Sequence, residues 1–503
     1  MLVLNVLQVP NVLRVPNARR VPNARRVPNA LRVLSGRRAP SVGALAPVAL
    51  ALAAPIASLA LAPAALSARP ALSARPPRSS QPPSAPTLRS QILAIRAIDN
   101  HAHVTRAVPG DTDYDALPFA LLDPAPPGVE TNPVPLRADN PMFVTAWKTL
   151  FAYPHADATP AHLKDAVRLK QRAIEQRAGT PGAYPEWVLD QQGVEIVLAN
   201  RIAMAPDLPA ARFKWVPYAD ALLFPLDNSV QKAANRDYAA FYPAEEKLLQ
   251  RYLKESGGTT LPATLGDYCR NVVTATLERH KAGGAVAEKL EAAYLRWLDF
   301  GPASDADAAR IYAAYVNGGP PSPGDYKILQ DYLFAYVARE AGRLGLAIHI
   351  HVANGGGANY DQRGSNPLLL TWAFNELSLR RTNFVVVHGG YPYYKETAGL
   401  MSKPNVFADF SALAYFEKPR GAAEMLRLWL SSYPEKMLYG SDASPTTDEI
   451  SWEETGWVAS RTAREALTIA LQNMIDDREI TRARALELAR MALRENATKL
   501  YGF

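Results

Sequence analysis

Short apolar runs rich in β-branched residues recur along the chain, and longer stretches with helical periodicity separate them. The runs are Ile95–Asp99, Val194–Leu198, Phe213–Tyr218, Ala285–Lys289, Leu346–His351, Phe384–Val387, Val406–Asp409 and Met437–Gly440. Helices are predicted at Ala244–Lys254, Leu265–Ala282 and Asp325–Leu344. A polar, helical segment ending in Trp187-Val-Leu-Asp-Gln-Gln-Gly193 follows the first run, and a second such segment follows the third. Strands alternating with helices indicate a parallel α/β fold. Eight such units predict a (β/α)8 TIM barrel with helical insertions after strands 1 and 3, whose active site lies at the C-terminal strand ends. An open doubly wound sheet is the competing architecture, but no Gly-x-Gly-x-x-Gly follows the first strand.

Polar residues gather at those strand ends. His101 and His103 close the first strand, and residues two apart in a strand point to one side. Two imidazoles leaving a strand together are a natural start to a metal site. His349 and His351 repeat the spacing on strand five, His388 ends strand six, and Asp442 follows strand eight. Five of the chain's eight histidines thus lie at strand ends, while His155, His162 and His280 are expected to be solvated. His349 lies one layer deeper than His351 and is expected to be structural. After strand five comes Gly355-Gly-Gly357, in a loop able to approach a ligand closely. Arg363 and Asn366 follow in the same loop; Arg363 either clamps a substrate carboxylate or makes an ordinary surface salt bridge. Tyr391, Tyr393 and Asp409 are rim candidates.

Charge changes the picture only at the N-terminus. Of a net charge of +7, the twelve arginines of residues 1–90 supply +12, so residues 91–503 carry −5. A mildly acidic body gives no electrostatic case for nucleic-acid binding. Residues 9–33 repeat a Val-Pro-Asn motif, too short for a solenoid and too proline-rich for a central strand. Arg37-Arg38, an Ala/Leu/Pro run and then small residues follow the order of a secretory signal peptide, leading to a Pro/Ser linker at Ser79–Pro86. Residues 1–90 are therefore expected to be a low-complexity tail, with export to the periplasm or exterior. The chain is cytoplasmic if that tail precedes the true start. Pro47, Pro55 and Pro63 disfavour a membrane span. Cys269 is the only cysteine and excludes an internal disulfide. It is expected to be a plain packed or surface residue rather than a nucleophile. The expected partner is a small molecule, and a homo-oligomer stays open.

The set His-x-His, His351, His388 and Asp442 resembles the metal site of the amidohydrolase superfamily, in particular its amidohydrolase-related branch. Longer stretches are similar to the amidohydrolase-like domain that nodulin-type and fungal developmental proteins carry before a glutamine-synthetase-like domain. They are Asp99-Asn-His-Ala-His103, Lys289-Leu-Glu-Ala-Ala-Tyr-Leu-Arg296, His351 through Arg363-Gly-Ser-Asn-Pro367, His388-Gly-Gly-Tyr-Pro-Tyr-Tyr-Lys-Glu396 and Asn496-Ala-Thr-Lys-Leu-Tyr501. The resemblance implies a metal-dependent enzyme across residues 95–503. His101, His103 and His351 would hold a divalent ion, Zn²⁺ or else Mn, Fe or Ni. Asp442 would be a further ligand or the base that takes a proton from water, and His388 would polarise the scissile carbonyl. Lys289 would contact substrate or, carboxylated, bridge two metals. Glu288 is its neighbour, so only one of the two can face the site. The implied reaction is hydrolysis of an amide, C–N or ester bond in a small substrate, with or without a carboxylate. A non-oxidative decarboxylase and a catalytically idle interaction barrel are the alternatives.

Overall fold

The computed structural model describes residues 86–503 apart from 109, 120, 121, 123–132, 353, 354, 358 and 359. The expected signal peptide and most of the tail lie outside the described residues. Eight strands follow in order: β1 (Ala97–Ala102), β2 (Val194–Asn200), β3 (Phe213–Val216), β4 (Ala287–Leu290), β5 (Ala347–His351), β6 (Phe384–Val387), β7 (Val406–Asp409) and β8 (Met437–Leu438). The predicted strands are therefore all present. The first, however, runs three residues beyond Asp99 and includes His101.

The fold is α/β with parallel sheets. β1, β2 and β3 form one sheet, and β4 through β8 form a second, each in sequential order and parallel throughout. Single bridges continue the order at both edges. Trp215 meets Ala285 and Tyr218 meets Lys289 between β3 and β4, while Ala102 meets Ala443 just beyond β8. β6 is Phe-Val-Val-Val and wholly buried, as a strand covered on both faces must be.

Helices occupy the segments between strands. α1 (Pro141–Phe151), α2 (Pro160–Glu175) and α3 (Ala183–Gln192) follow β1, and α4 (Phe241–Glu255) and α5 (Ala275–Ala282) follow β3. α6 (Pro323–Leu344) precedes β5. Its ends are written in the sequence: Ser322 accepts from Asp325 N–H, Pro323 opens the first turn, and Gly345 at φ 67° stops it. α7 (Pro419–Ser432) precedes β8, and α8 (Trp452–Asp476) and α9 (Asn496–Tyr501) follow it. A capping box of Ser451 and Glu454 starts α8. Among the described residues no helix is long and apolar enough to cross a membrane.

The large core lies between strands and helices. A second, smaller cluster takes Ile98, Leu198, Val216, Ala287, Ala347, Val385 and Leu438, with Phe407 packed against it, so every strand contributes. Ala497, Leu500 and Tyr501 of α9 complete it. One residue pair further along the same strand faces stand Asn200, Lys289, His349, Val387 and Asp409. The polar layer is thus stacked directly on an apolar one.

Candidate functional site

Alternation along each strand selects which side chains reach this layer. On β4, Lys289 takes the inner position, while Glu288 points away to His280, whose Nδ1 is 3.1 Å from its carboxylate. His280 is thus buried with a partner and not solvated as expected. His155 and His162 stack on one another in partial exposure, each against an aspartate. Strict alternation fails on β1, whose pairing with β2 is irregular between Asp99 and Ala102. Such an irregularity re-aims side chains. Asn100 Nδ2 donates to Asp409 Oδ2 at 2.8 Å, and the next residue, His101, also faces the interior.

The imidazoles converge on Asp442. His101 Nε2 lies 3.2 Å and His103 Nε2 3.5 Å from Asp442 Oδ1, and His388 Nδ1 lies 4.0 Å from Oδ2. Ligand atoms of His101, His388 and Asp442 all fall within 4.8 Å of one another. His351 Nδ1 is 3.0 Å from His388 Nε2, so these two share one proton. Lys289 Nζ is 3.3 Å from His101 Nε2 and 3.5 Å from Glu291 Oε1. His349 turns to the last helix instead, with Nε2 2.7 Å from the Tyr501 hydroxyl, which also donates to Asn100.

Each converging ring is held from behind. Asp115 Oδ2 lies 2.9 Å from His103 Nδ1, with the Tyr218 hydroxyl at 3.2 Å. Ser411 Oγ lies 2.9 Å from His388 Nδ1, and Asp409 accepts from the His388 backbone N–H. Asn200 lies 2.6 Å from His101 Nδ1 through its amide nitrogen, while its Oδ1 has no hydrogen-bond partner. Turning that amide over would let Oδ1 accept the Nδ1 proton and would free the Nε2 lone pair. Such partners behind the ring are what a liganding imidazole needs.

The electrostatics suit a cation. Burial, then Lys289, holds His101 well below its ordinary pKa, and burial does the same to His388. Neutral imidazoles keep their lone pairs for a metal. Burial opposes charge on His103 too, but Asp115 and Asp442 outweigh it and raise its pKa. Burial pushes Asp442 up to about 6 against the pull of His103 and Lys289. The neutral imidazoles of His101 and His388 beside the Asp442 carboxylate, with ring partners behind them, fit a divalent ion.

His103, His351, His388 and Asp442 line a cavity of about 610 Å³ together with Tyr114, Asp115, Phe119, Glu291, Tyr294 and the loop Ser444–Asp448. Arg363 and Asn366 do not line it. The Arg363 side chain is 78% exposed and paired with Asp361 at 2.7 Å, which is the salt-bridge reading of that residue. Asn366 caps the helical turn that begins at Pro367. Tyr391 and Tyr393 bond to Glu417 and to the Gln362 carbonyl, outside the cavity lining. Asp409 is buried beneath His388 and is no rim residue. Cys269 is buried, with its thiol pushed up to about 12 by burial, and is far from nucleophilic.

Sequence reasoning missed Asn200, Asp115, Glu291 and Tyr294. Asn200 ends a strand, and Glu291 is two residues past Lys289, so strand-end position and parity were available signals. Tyr294 ends a short 3-10 turn within the Lys289–Arg296 stretch, where the resemblance was the one signal, and Asp115 sits in an irregular loop and carried none.

A family model described as Amidohydrolase matches residues 229–503. Protein fluG of Emericella nidulans is 29% identical over 120 residues, 24% of this chain and 13% of that protein's own length. Glucuronate isomerase of Caulobacter crescentus has a TM-score of 0.55 at 13% identity, covering 82% of this chain and 93% of its own. A protein from Lactobacillus casei described as a metal-dependent hydrolase has a TM-score of 0.48 at 18% identity, covering 82% of this chain and 97% of its own. At 13% identity the likeness to the glucuronate isomerase speaks for the α/β fold alone.

Proposed function

The chain belongs to the amidohydrolase family, and from that premise we propose that it is a metal-dependent hydrolase of an amide, C–N or ester bond in a small substrate. The observation that carries this reading is the convergence of His101, His388 and Asp442, the last two of which line a cavity of substrate size. We also read the two sheets as one closed (β/α)8 barrel with helical insertions after β1 and β3. The bridges at both edges and the inner cluster drawn from every strand support it.

His101, His103 and Asp442 would hold the ion, with a further donor from the His351–His388 pair. Only one of that pair can turn a lone pair inward, because the two are hydrogen-bonded to each other. Zn²⁺ suits imidazole and carboxylate donors, with Mn, Fe and Ni as rivals. A divalent ion there would supply Lewis acidity and make water acidic near neutral pH. Asp442 would take a proton from the attacking water on its carboxylate and return it to the leaving group. The member of the histidine pair that stays unliganded would polarise the substrate carbonyl. Lys289, neighbouring His101 and Glu291, would help fix the charge balance and meet substrate.

A decarboxylase would want an arginine aimed at the leaving carboxylate. Arg363 lies on Asp361 outside the cavity, which favours hydrolysis. The test is elemental analysis of the purified chain, followed by a screen of N-acyl compounds, esters and aromatic acids. About one divalent ion per chain, lost in His101→Ala, and release of an amine, acid or alcohol are expected. A metal-free protein, or carbon dioxide as the product, would overturn the reading.

A further inference from the structure

The cavity has a one-sided charge. Asp115, Glu291, Asp442 and Asp448 line it, and no lysine or arginine does among the described residues, although buried Lys289 lies just behind the lining, 3.5 Å from Glu291 Oε1. The nearby basic side chains are already paired: Lys289 to Glu291 Oε1 and His101, Arg201 to Asp111, Arg106 to Asp207, and Arg363 to Asp361. The internal stretches 123–132, 353–354 and 358–359 contain no Lys or Arg either. Glu291 is only 2% exposed, yet its Oε2 has no hydrogen-bond partner among the described residues. A buried acceptor left open toward a cavity asks for a donor from a ligand. At the exposed end, Asp448 makes no ion pair among the described residues.

Between these acids stands an aromatic wall. Tyr294 lies 4.5 Å, centroid to centroid, from His351 and 5.1 Å edge-on from Phe119, and Tyr114 lines the same space. Aromatic faces beside carboxylates attract organic cations and offer nothing to a carboxylate. Across Tyr294, Arg236 and Arg296 line a separate cavity of about 460 Å³, and Arg296 is neutralised by Asp331.

We infer that the substrate of this site carries a cationic nitrogen on an apolar or aromatic body, held by Glu291 and Asp448 against Tyr294 and Phe119. This replaces the carboxylated substrate expected from Arg363. It rests on the hydrolase reading above for its chemistry, but the charge preference is a binding property and can be tested without turnover. A matched series of probes serves: 4-phenylbutylamine, 4-phenylbutanol and 4-phenylbutyrate, titrated calorimetrically into the purified full chain. The amine is expected to bind at least about tenfold more tightly than either partner, an energy ordinary for one buried charge-assisted contact. Asp448→Asn and Glu291→Gln should each weaken the amine about threefold to tenfold and leave the alcohol unchanged. Butyrate binding as tightly as the amine, amine binding indifferent to both substitutions, or no probe binding at millimolar concentration would each overturn the inference. Amine preference in a protein that turns over no acyl or ester compound would instead count against the hydrolase reading alone.

Discussion

Asp442 sits at φ 56°, a left-handed conformation that a residue with a Cβ adopts at a cost, and the Tyr415 hydroxyl donates to its carbonyl. The chain accepts that cost where the carboxylate meets three imidazoles. Replacing Asp442 with Asn keeps the volume and one ligand oxygen but loses the base. Turnover should fall by about 10²–10⁴-fold while much of the metal is retained. Elemental analysis beside single-turnover rates checks both halves, and full activity in a metal-loaded Asn variant would remove Asp442 as the base. Glu245 of α4, a neighbour of Asp220, Glu291 and Asp115 that does not line the cavity, offers a pH test. It is 1% exposed with neither oxygen partnered, and burial raises its pKa well above the ordinary range. Below the unfolded carboxyl value both states hold the proton. Above it only the folded state does, so stability is lost as pH rises. Glu245→Gln cannot titrate. Its melting temperature should match wild type near pH 4.5 and exceed it by about 2 °C or more at pH 8. The converging histidines were legible as a group because buried imidazoles at the ends of apolar runs call for a partner. Asp115 was not, since an aspartate in a loop has many uses.

Elements decide how those residues meet. Sequence spacing alone placed His351 at the rim and His349 a layer below, and the pairing of His349 with Tyr501 agrees with that depth. His349→Ala should lower the melting temperature and leave metal content near wild type, whereas His351→Ala should reduce metal content. The reverse pattern in elemental analysis would shift the assigned layer. Alternation could not foresee β1, where the irregular pairing turns both Asn100 and His101 inward. Nor could it foresee the turn at His388, Gly389 and Gly390, all three at positive φ. Two glycines make that left-handed turn affordable, and His388 is carried through it to face Asp442. A Cβ on Gly389 would lie 2.7 Å from the Trp429 ring of α7. Gly389→Ala should therefore cost more than the roughly 1–2 kcal/mol of the conformation itself. It should also reduce metal content, measured by calorimetry and elemental analysis on the same sample.

At the scale of the molecule, eight runs of apolar residues separated by helices were enough to read an α/β fold with parallel sheets. The expected barrel order sets β3 beside β4 and β8 beside β1, as the bridges do, but which residues meet there was not readable, because no local pattern encodes register across the chain. An ion at the site would tie both ends of the strand order together. Chelation is expected to lower the melting temperature and readdition to restore it, by an amount that grows with the logarithm of free ion. A melting temperature indifferent to both would separate the metal from the fold. The contacts between β1 and the segment beyond β8 carry one more consequence. Ser441 N–H donates to Asp99 Oδ1 at 2.8 Å across 342 residues of sequence, and Asp442 N–H donates to the His101 carbonyl. On the ribosome, the first strand and its two histidines emerge long before the partner that completes them. Until the segment around Asp442 clears the exit tunnel, an apolar strand edge waits unpaired, a state prone to misassembly. Nascent chains arrested before that point should bind chaperones and hold no metal, and those released after it should do neither.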